Sequence, residues 1–297
     1  MKFNQLLVML LAILATATVV SAQEASVDQL KQMMEKSAEN LTTYTYSRSA
    51  ESDIRYSNAS LKTEFDAYKA TDGKVDLINK AGGWSSKLTD EESRQVLTWD
   101  GFFVNGSEYW KEGQNWTKFT VNDTARIMQD YNEIPGQVNL IMLSDMKIMS
   151  SEKFQGQDSY KLVGSPKGSI YNGIVGLQLL AAYFPAPFQL PAKLKNRTLD
   201  INSTSLMNNS HIVLTAWVSK DKSLLERLDI NSSLTITPKI LNISSPDFRI
   251  ESNINESTVY SNFGSPLKID LPSEAHNSSN HRMGMDWRWA VFGSVRP

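Results

Sequence analysis

The chain has no cysteine and only three histidines. Without thiols there is no disulfide framework, no thiolate metal site and no acylated cysteine to tie the N-terminus to lipid. His211 falls in an apolar run, and His276 and His281 are separated by an Asn/Ser spacer with no carboxylate ligand beside them, so the histidines are poor support for a metal. Charge of one sign is also scarce. Thirty Lys and Arg stand against 32 Asp and Glu, the formal net charge is −2, and no basic run appears, which excludes a nucleic-acid partner on electrostatic grounds. No Gly-x-Ser-x-Gly elbow, His-Glu-x-x-His helix or Walker loop is present. Gly164-Ser-Pro-Lys-Gly168 has some of the composition of a phosphate loop, but its spacing fails and Pro166 removes a backbone donor. These absences leave no catalytic residue, cofactor or metal to assign, and the expectation is a protein that is not an enzyme.

What the chain does have is asparagine in one context. Twelve of its 21 asparagines stand in Asn-x-Ser/Thr triplets: Asn40, Asn58, Asn105, Asn115, Asn122, Asn196, Asn202, Asn208, Asn231, Asn242, Asn255 and Asn277. Chance placement among the chain's serines and threonines would give about four. The excess points to N-glycosylation over most of the surface, against the plainer alternative of an Asn/Ser-rich surface that makes triplets by accident. The N-terminus agrees. Met1-Lys2 is followed by an apolar stretch from Leu6 to Val20 and by Val20-Ser21-Ala22, small residues where a signal peptidase needs them. That stretch is shorter than the roughly 20 residues that span a bilayer as a helix. Residues 1–22 are therefore read as a signal peptide, cleaved after Ala22, and the protein as secreted.

From residue 23 the periodicities change along the chain. Ser26 and Gln29 form a capping box, and Val27, Leu30, Met33, Met34, Ala38 and Leu41 recur at helical spacing, predicting a helix of about 15 residues. Thr42 to Trp116 reads as an antiparallel meander, rich in Tyr, Thr, Phe and Trp, with turns expected at Asp72-Gly73, Gly82-Gly83, Asp100-Gly101 and Asn105-Gly106. Val121 to Tyr131 suggests a short helix, and Lys147 to Val163 a hairpin around Gly156. Ser169 to Phe184 is the longest apolar segment after the leader; it has no clean polar face and is closed by Pro185, Pro187 and Pro191, which predicts a buried helix and a stiff loop. His211 to Val218 reads as a strand covered on both faces. In the next, Leu228, Ile230, Leu234 and Ile236 share one face while Asn231 falls on the other, and Asn255 falls on the polar face of a later strand. From His276 to Pro297 the chain reads as a flexible tail with an aromatic end carrying Trp287, Trp289 and Phe292.

Three segments carry a family likeness. Val104 to Lys118, with Asn105-Gly106, Tyr109, Trp116 and Lys118, is similar to a "V-D-G-x-x-Y … W-x-K" hairpin. Ala216 to Ile230, with Trp217-Val218, Lys220-Asp221 and Arg227, is similar to a "W-V-D-K-D-T-G-L-x-x-R" turn. Tyr260 to Pro272 is similar to a closing "Y-x-x-F-G-x-P-V-x-I-x-x-P". In this order they resemble the LolA-like lipoprotein carriers, including the LppX/LprG branch. The resemblance implies an α+β fold, a strongly curved antiparallel β half-barrel with helices covering its concave side, and a hydrophobic cavity for acyl chains. The chain departs from that pattern in lacking the lipobox cysteine and in its load of glycosylation triplets, so the fold carries over more readily than the lipoprotein-sorting role.

The resulting expectation is a single domain over residues 23–275 that binds a lipid or acylated ligand through Ile174, Leu177, Leu180, Tyr183 and Phe184 of the apolar segment and Trp217 of a facing strand. The competing expectation is a cell-surface structural or interaction protein that uses the same fold as a solid scaffold. In that case the aromatic tail would hold a membrane or cell-surface partner.

Overall fold

The computed structural model describes residues 25–120, 123–168, 203–240, 242 and 247–281. Ser26 is extended, and its hydroxyl accepts from the Gln29 amide while the Gln29 side chain accepts from the Ser26 amide. This capping box opens α1 (Val27–Glu39), whose Leu30, Met34 and Ala38 recur every fourth residue and are buried. Six strands follow: β1 (Thr43–Asn58), β2 (Lys62–Asp76), β3 (Ala81–Asp90), β4 (Val96–Val104), β5 (Ser107–Glu112) and β6 (Asn115–Thr120). Helices α2 (Thr124–Tyr131) and α3 (Glu133–Met142) lead to the hairpin β7 (Ser144–Phe154) and β8 (Gln157–Pro166), which turns at Gln155-Gly156 as expected. The short α4 (Ser203–Asn208) precedes β9 (Ser210–Ser219), β10 (Leu225–Ile236) and β11 (Phe248–Ser261).

The strands form one twelve-stranded sheet, in the order β12-β6-β5-β4-β3-β2-β1-β11-β10-β9-β8-β7, where β12 is Ser279–His281. Two meanders, β1 to β6 and β7 to β11, thus lie side by side and are joined where the first strand pairs with the eleventh. All pairings are antiparallel except β12 on β6. The result is the expected α+β half-barrel, with helices packed on one face of a curved sheet. The core combines Leu30, Met34, Ile127, Tyr131, Ile134 and Ile141 from the helices with sheet residues of a single parity, among them Tyr44, Val75, Phe103, Leu162, Leu214 and Leu228. Alternation along each strand puts those side chains on the concave face and their neighbours on the convex one.

Three of the four expected turns are instead strand interiors. Asp72-Gly73 lies inside β2, Gly82-Gly83 inside β3 and Asp100-Gly101 inside β4; only Asn105-Gly106 is a turn, with both residues at positive φ. The register explains the glycines. Tyr260, Tyr46, Gly73, Trp84, Gly101 and Trp110 form one cross-strand row on the concave face, in which glycines alternate with large rings. A Cβ at Gly73 would sit 2.2 Å from the Tyr46 ring, and one at Gly101 would sit 2.4 Å from Trp84. These glycines make room for rings lying over the sheet rather than for chain reversal. The first residues of the expected tail, up to His281, are among those described. Ser273–Asn277 forms a turn of 3-10 helix and Ser279–His281 pairs with β6, while the aromatic residues Trp287, Trp289 and Phe292 lie outside the described residues.

Candidate functional site: the concave face

Cross-strand rows divide the concave face. At one end Tyr44, Val75 and Phe103 lie under the helices and are completely buried. Helix α3 is fastened there from both ends. The Tyr44 hydroxyl donates to Asn132 Oδ1 (3.1 Å) and accepts from the Glu133 amide (3.0 Å), a cap that Asn132 itself does not provide. At the other end the buried Lys31 of α1 donates to the carbonyls of Met142 (3.1 Å) and Ser144 (2.7 Å), which satisfies C-terminal acceptors and places positive charge where the helix dipole favours it. Burial lowers the Lys31 pKa, with Asp28 and Asp145 acting in the opposite sense.

The next rows carry charge. Arg48 of β1 reaches Glu133 of α3 through Nη2 (2.5 Å), and its Nε lies 3.2 Å from both Glu256 Oε1 and Thr258 Oγ1 of β11. Side-chain exposure is 18% for Arg48 and Glu133 and 22% for Glu256, low for ions. Lys69 of β2 stands on the same floor, in one row with Glu256, Ala50, Leu88 and Leu97. Burial lowers its pKa, and the Arg48 charge adds to the effect. Glu133 is pushed up by burial; Arg48 opposes the rise and Glu256 adds to it. The Tyr46 hydroxyl lies near Glu133 and helps hold its carboxylate charged. No sequence pattern announced this cluster. Arg48 shares a strand face with Tyr44, Tyr46 and Ile54, an anomaly visible in the alternation, but its partners Glu133 and Glu256 lie in distant parts of the chain.

Beyond the charged rows the face becomes apolar again. Leu88 and Trp99 are half-buried there, Phe65 is partly buried, and Leu97 is 53% exposed although its parity points it into the concavity. Among the described residues, this end of the floor is an apolar surface with only partial cover.

Of the residues expected to bind ligand, Ile174, Leu177, Leu180, Tyr183 and Phe184 lie outside the described residues. Trp217 does not occupy the expected position. Ile212, Leu214, Ala216 and Val218 are the buried concave residues of β9, and Trp217, between two of them, turns to the convex side. There its Nε1 donates to Glu152 (2.6 Å), and its ring is flanked by Lys161 Nζ at 5.1 Å and Arg227 at 4.7 Å. That bond holds the Glu152 carboxyl below its usual range. The ring is buried by convex-face side chains, which is why an apolar pattern on both faces of β9 misled. Also on the convex side, Asp53, Glu64 and Asp66 bring carboxylate oxygens within 4.8 Å of one another, but Arg55 already pairs with Asp53 and Glu64.

Among the glycosylation triplets, Asn40, Asn105, Asn115, Asn208, Asn231, Asn242, Asn255 and Asn277 are exposed. Asn231 and Asn255 are direct cross-strand partners on the convex face. Asn58 is half-buried and engaged: its Oδ1 accepts from the amides of Ser60 and Leu61, and its Nδ2 donates to Tyr56. Asn122, Asn196 and Asn202 lie outside the described residues.

No family model matches the chain, and no curated protein matches it. Among solved structures, it is similar to LprF from Mycobacterium bovis, at 15% identity and a TM-score of 0.41, over 84% of this chain and 99% of that one. Lipoprotein LppX from Mycobacterium tuberculosis is similar at 13% identity and a TM-score of 0.37, over 82% and 98%. A LolA superfamily protein from Nitrosomonas europaea is similar at 10% identity and a TM-score of 0.22, over 84% and 96%.

Proposed function

We propose that the protein is a secreted, N-glycosylated carrier that holds the hydrocarbon part of a lipid or acylated molecule in its half-barrel and performs no chemistry on it. The observation that supports this reading is the unequal cover of the concave face. Helices bury one end completely, whereas Leu97, facing the same way on β4, keeps 53% of its surface exposed beside half-buried Leu88 and Trp99. An inward-facing apolar floor left without cover is suited to an alkyl chain. Ten buried methylenes would contribute about 8 kcal/mol, the size of a micromolar affinity before the cost of association is subtracted. The apolar run holding Ile174, Leu177, Leu180, Tyr183 and Phe184 belongs to the same proposal as ligand-contacting sequence. Exposure of eight sequon asparagines is compatible with glycan at each, and with an extracellular or envelope location.

The filled helical end favours a second reading. Leu30, Met34, Ile134, Ile141, Leu162 and Leu214 are each 1% exposed or less, as a solid scaffold for surface interactions would require. Native mass spectrometry of mature protein from its own host, followed by solvent extraction, separates the two. Co-purifying lipid at near-unit stoichiometry is the expected result; protein that is lipid-free and takes up no added lipid would refute the carrier and leave the scaffold.

A further inference from the structure

Beside the charged rows of the concave floor stands a polar group that no described residue satisfies. Tyr260 is 1% exposed, and its hydroxyl has no hydrogen-bond partner among the described residues. Leaving such a donor unpaired in the interior costs roughly 1–3 kcal/mol, so a buried orphan hydroxyl calls for an explanation. The ring packs edge-on against Tyr44 at 6.0 Å, in the row next to Arg48, and it lies within electrostatic reach of Glu133, Arg48 and Glu256. Arg48 commits Nη2 to Glu133 and Nε to Glu256 and Thr258, which leaves Nη1 outside those contacts. Lys69 adds a second cation on the same floor, and its row continues directly into Leu88 and Leu97. Polar donors and an open apolar surface therefore adjoin on one face.

We infer that this cluster is the seat of an anionic head group, a carboxylate or phosphate monoester that accepts from Tyr260 Oη, Arg48 Nη1 and Lys69 Nζ while the attached chain lies along Leu88 and Leu97. The inference rests on the carrier reading and specifies its cargo as a singly charged or doubly charged amphiphile. Formal charges of Arg48, Lys69, Glu133 and Glu256 cancel, so an entering anion needs compensation. Glu133 is placed to supply it by taking a proton, because burial and Glu256 already favour its neutral form against the pull of Arg48. The remaining groups facing it, Tyr44 and Tyr46 from β1 and Tyr260 from β11, are held neutral by burial.

The test compares oleate with oleyl alcohol, which has the same chain and no charge, on delipidated full-length mature protein, with acetate and inorganic phosphate as chain-free anions. Oleate is expected to bind at least about tenfold tighter than the alcohol, as one or two charge-assisted hydrogen bonds provide. That ratio should fall to about threefold in Tyr260→Phe, which removes only the orphan hydroxyl and keeps the ring, and toward unity in Lys69→Met. Equal binding of alcohol and oleate overturns the head-group assignment while leaving the carrier intact. Acetate or phosphate binding as tightly as oleate overturns it in favour of a free-anion site. If neither long-chain probe binds, the carrier reading fails and the inference falls with it. A ratio unchanged in both variants also overturns it, and thermal melts of the two variants confirm that folded protein is being compared.

Discussion

Replacing Gly73 with alanine tests whether the glycine and aromatic row builds the charged floor. The added methyl would stand 2.2 Å from two ring atoms of Tyr46 and 2.5 Å from its hydroxyl oxygen. Van der Waals contact requires about 3.5 Å, so the ring must retreat by roughly 1 Å or more. Tyr46 is 7% exposed, and its hydroxyl lies near Glu133. Retreat therefore strains the packing, at about 1–3 kcal/mol, and disturbs a buried polar contact with Glu133, at about 1 kcal/mol more. The smaller entropy of an unfolded chain carrying alanine offsets about 0.5 kcal/mol of this. The net loss, about 2–3 kcal/mol, lowers the melting temperature by roughly 4–12 °C for a chain of this size. Calorimetry of Gly73→Ala beside Gly106→Ala checks the cause. Nothing lies within 4 Å of a Cβ at Gly106, whose φ is +72°, so alanine there costs about 1 kcal/mol from backbone strain alone. In a Tyr46→Ala background the cost of Gly73→Ala should shrink below about 1 kcal/mol. A Gly73→Ala protein that melts within 2 °C of wild type, or whose penalty persists without the ring, would refute the reasoning.

Two further expectations follow from the site. Because Glu133 has a raised pKa in the folded protein, its contribution to stability is complete below the unfolded value, about 4.3, and is lost as pH rises through the folded one. Chemical denaturation from pH 4 to 7 should show wild type losing stability relative to Glu133→Gln; a relative gain would mean that the pair with Arg48 outweighs burial. Trp217→Leu removes the bond to Glu152 and the contacts with Lys161 and Arg227, and should cost about 2–3 kcal/mol in stability. On the carrier reading, lipid uptake by the variant should equal that of wild type, and loss of uptake in a folded variant would return Trp217 to the ligand.

Local signals in the sequence were read correctly where they depend on neighbours in the chain. The Ser26 and Gln29 capping box, the hairpin at Gly156 and the alternation of Leu228, Ile230, Leu234 and Ile236 all involve residues a few positions apart. Glycine was misread because its two uses look alike in sequence. Asp72-Gly73 and Asn105-Gly106 have the same texture, and only the register shows that the first lies beneath Tyr46. Trp217 lies on the convex side, where burial by Lys161 and Arg227 produces the same apolar pattern in sequence as burial in the core. The Arg48 cluster required four distant segments to meet, and no spacing rule reports that.

The pairing of β1 with β11 also fixes the order in which the chain can become protein. Thr45 meets Ser261 across 216 residues, so the seam of the sheet closes only when nearly all the polypeptide is available. Until then the long β1 presents an unpaired edge, the template on which strands of other chains add. Closing that edge is a late, non-local step, and the exposed form is vulnerable during synthesis. Asn40 stands just before β1 and Asn58 is its last residue. On the glycoprotein reading, a glycan on the exposed Asn40, added before the seam closes, would screen the waiting edge with a bulky, hydrated group.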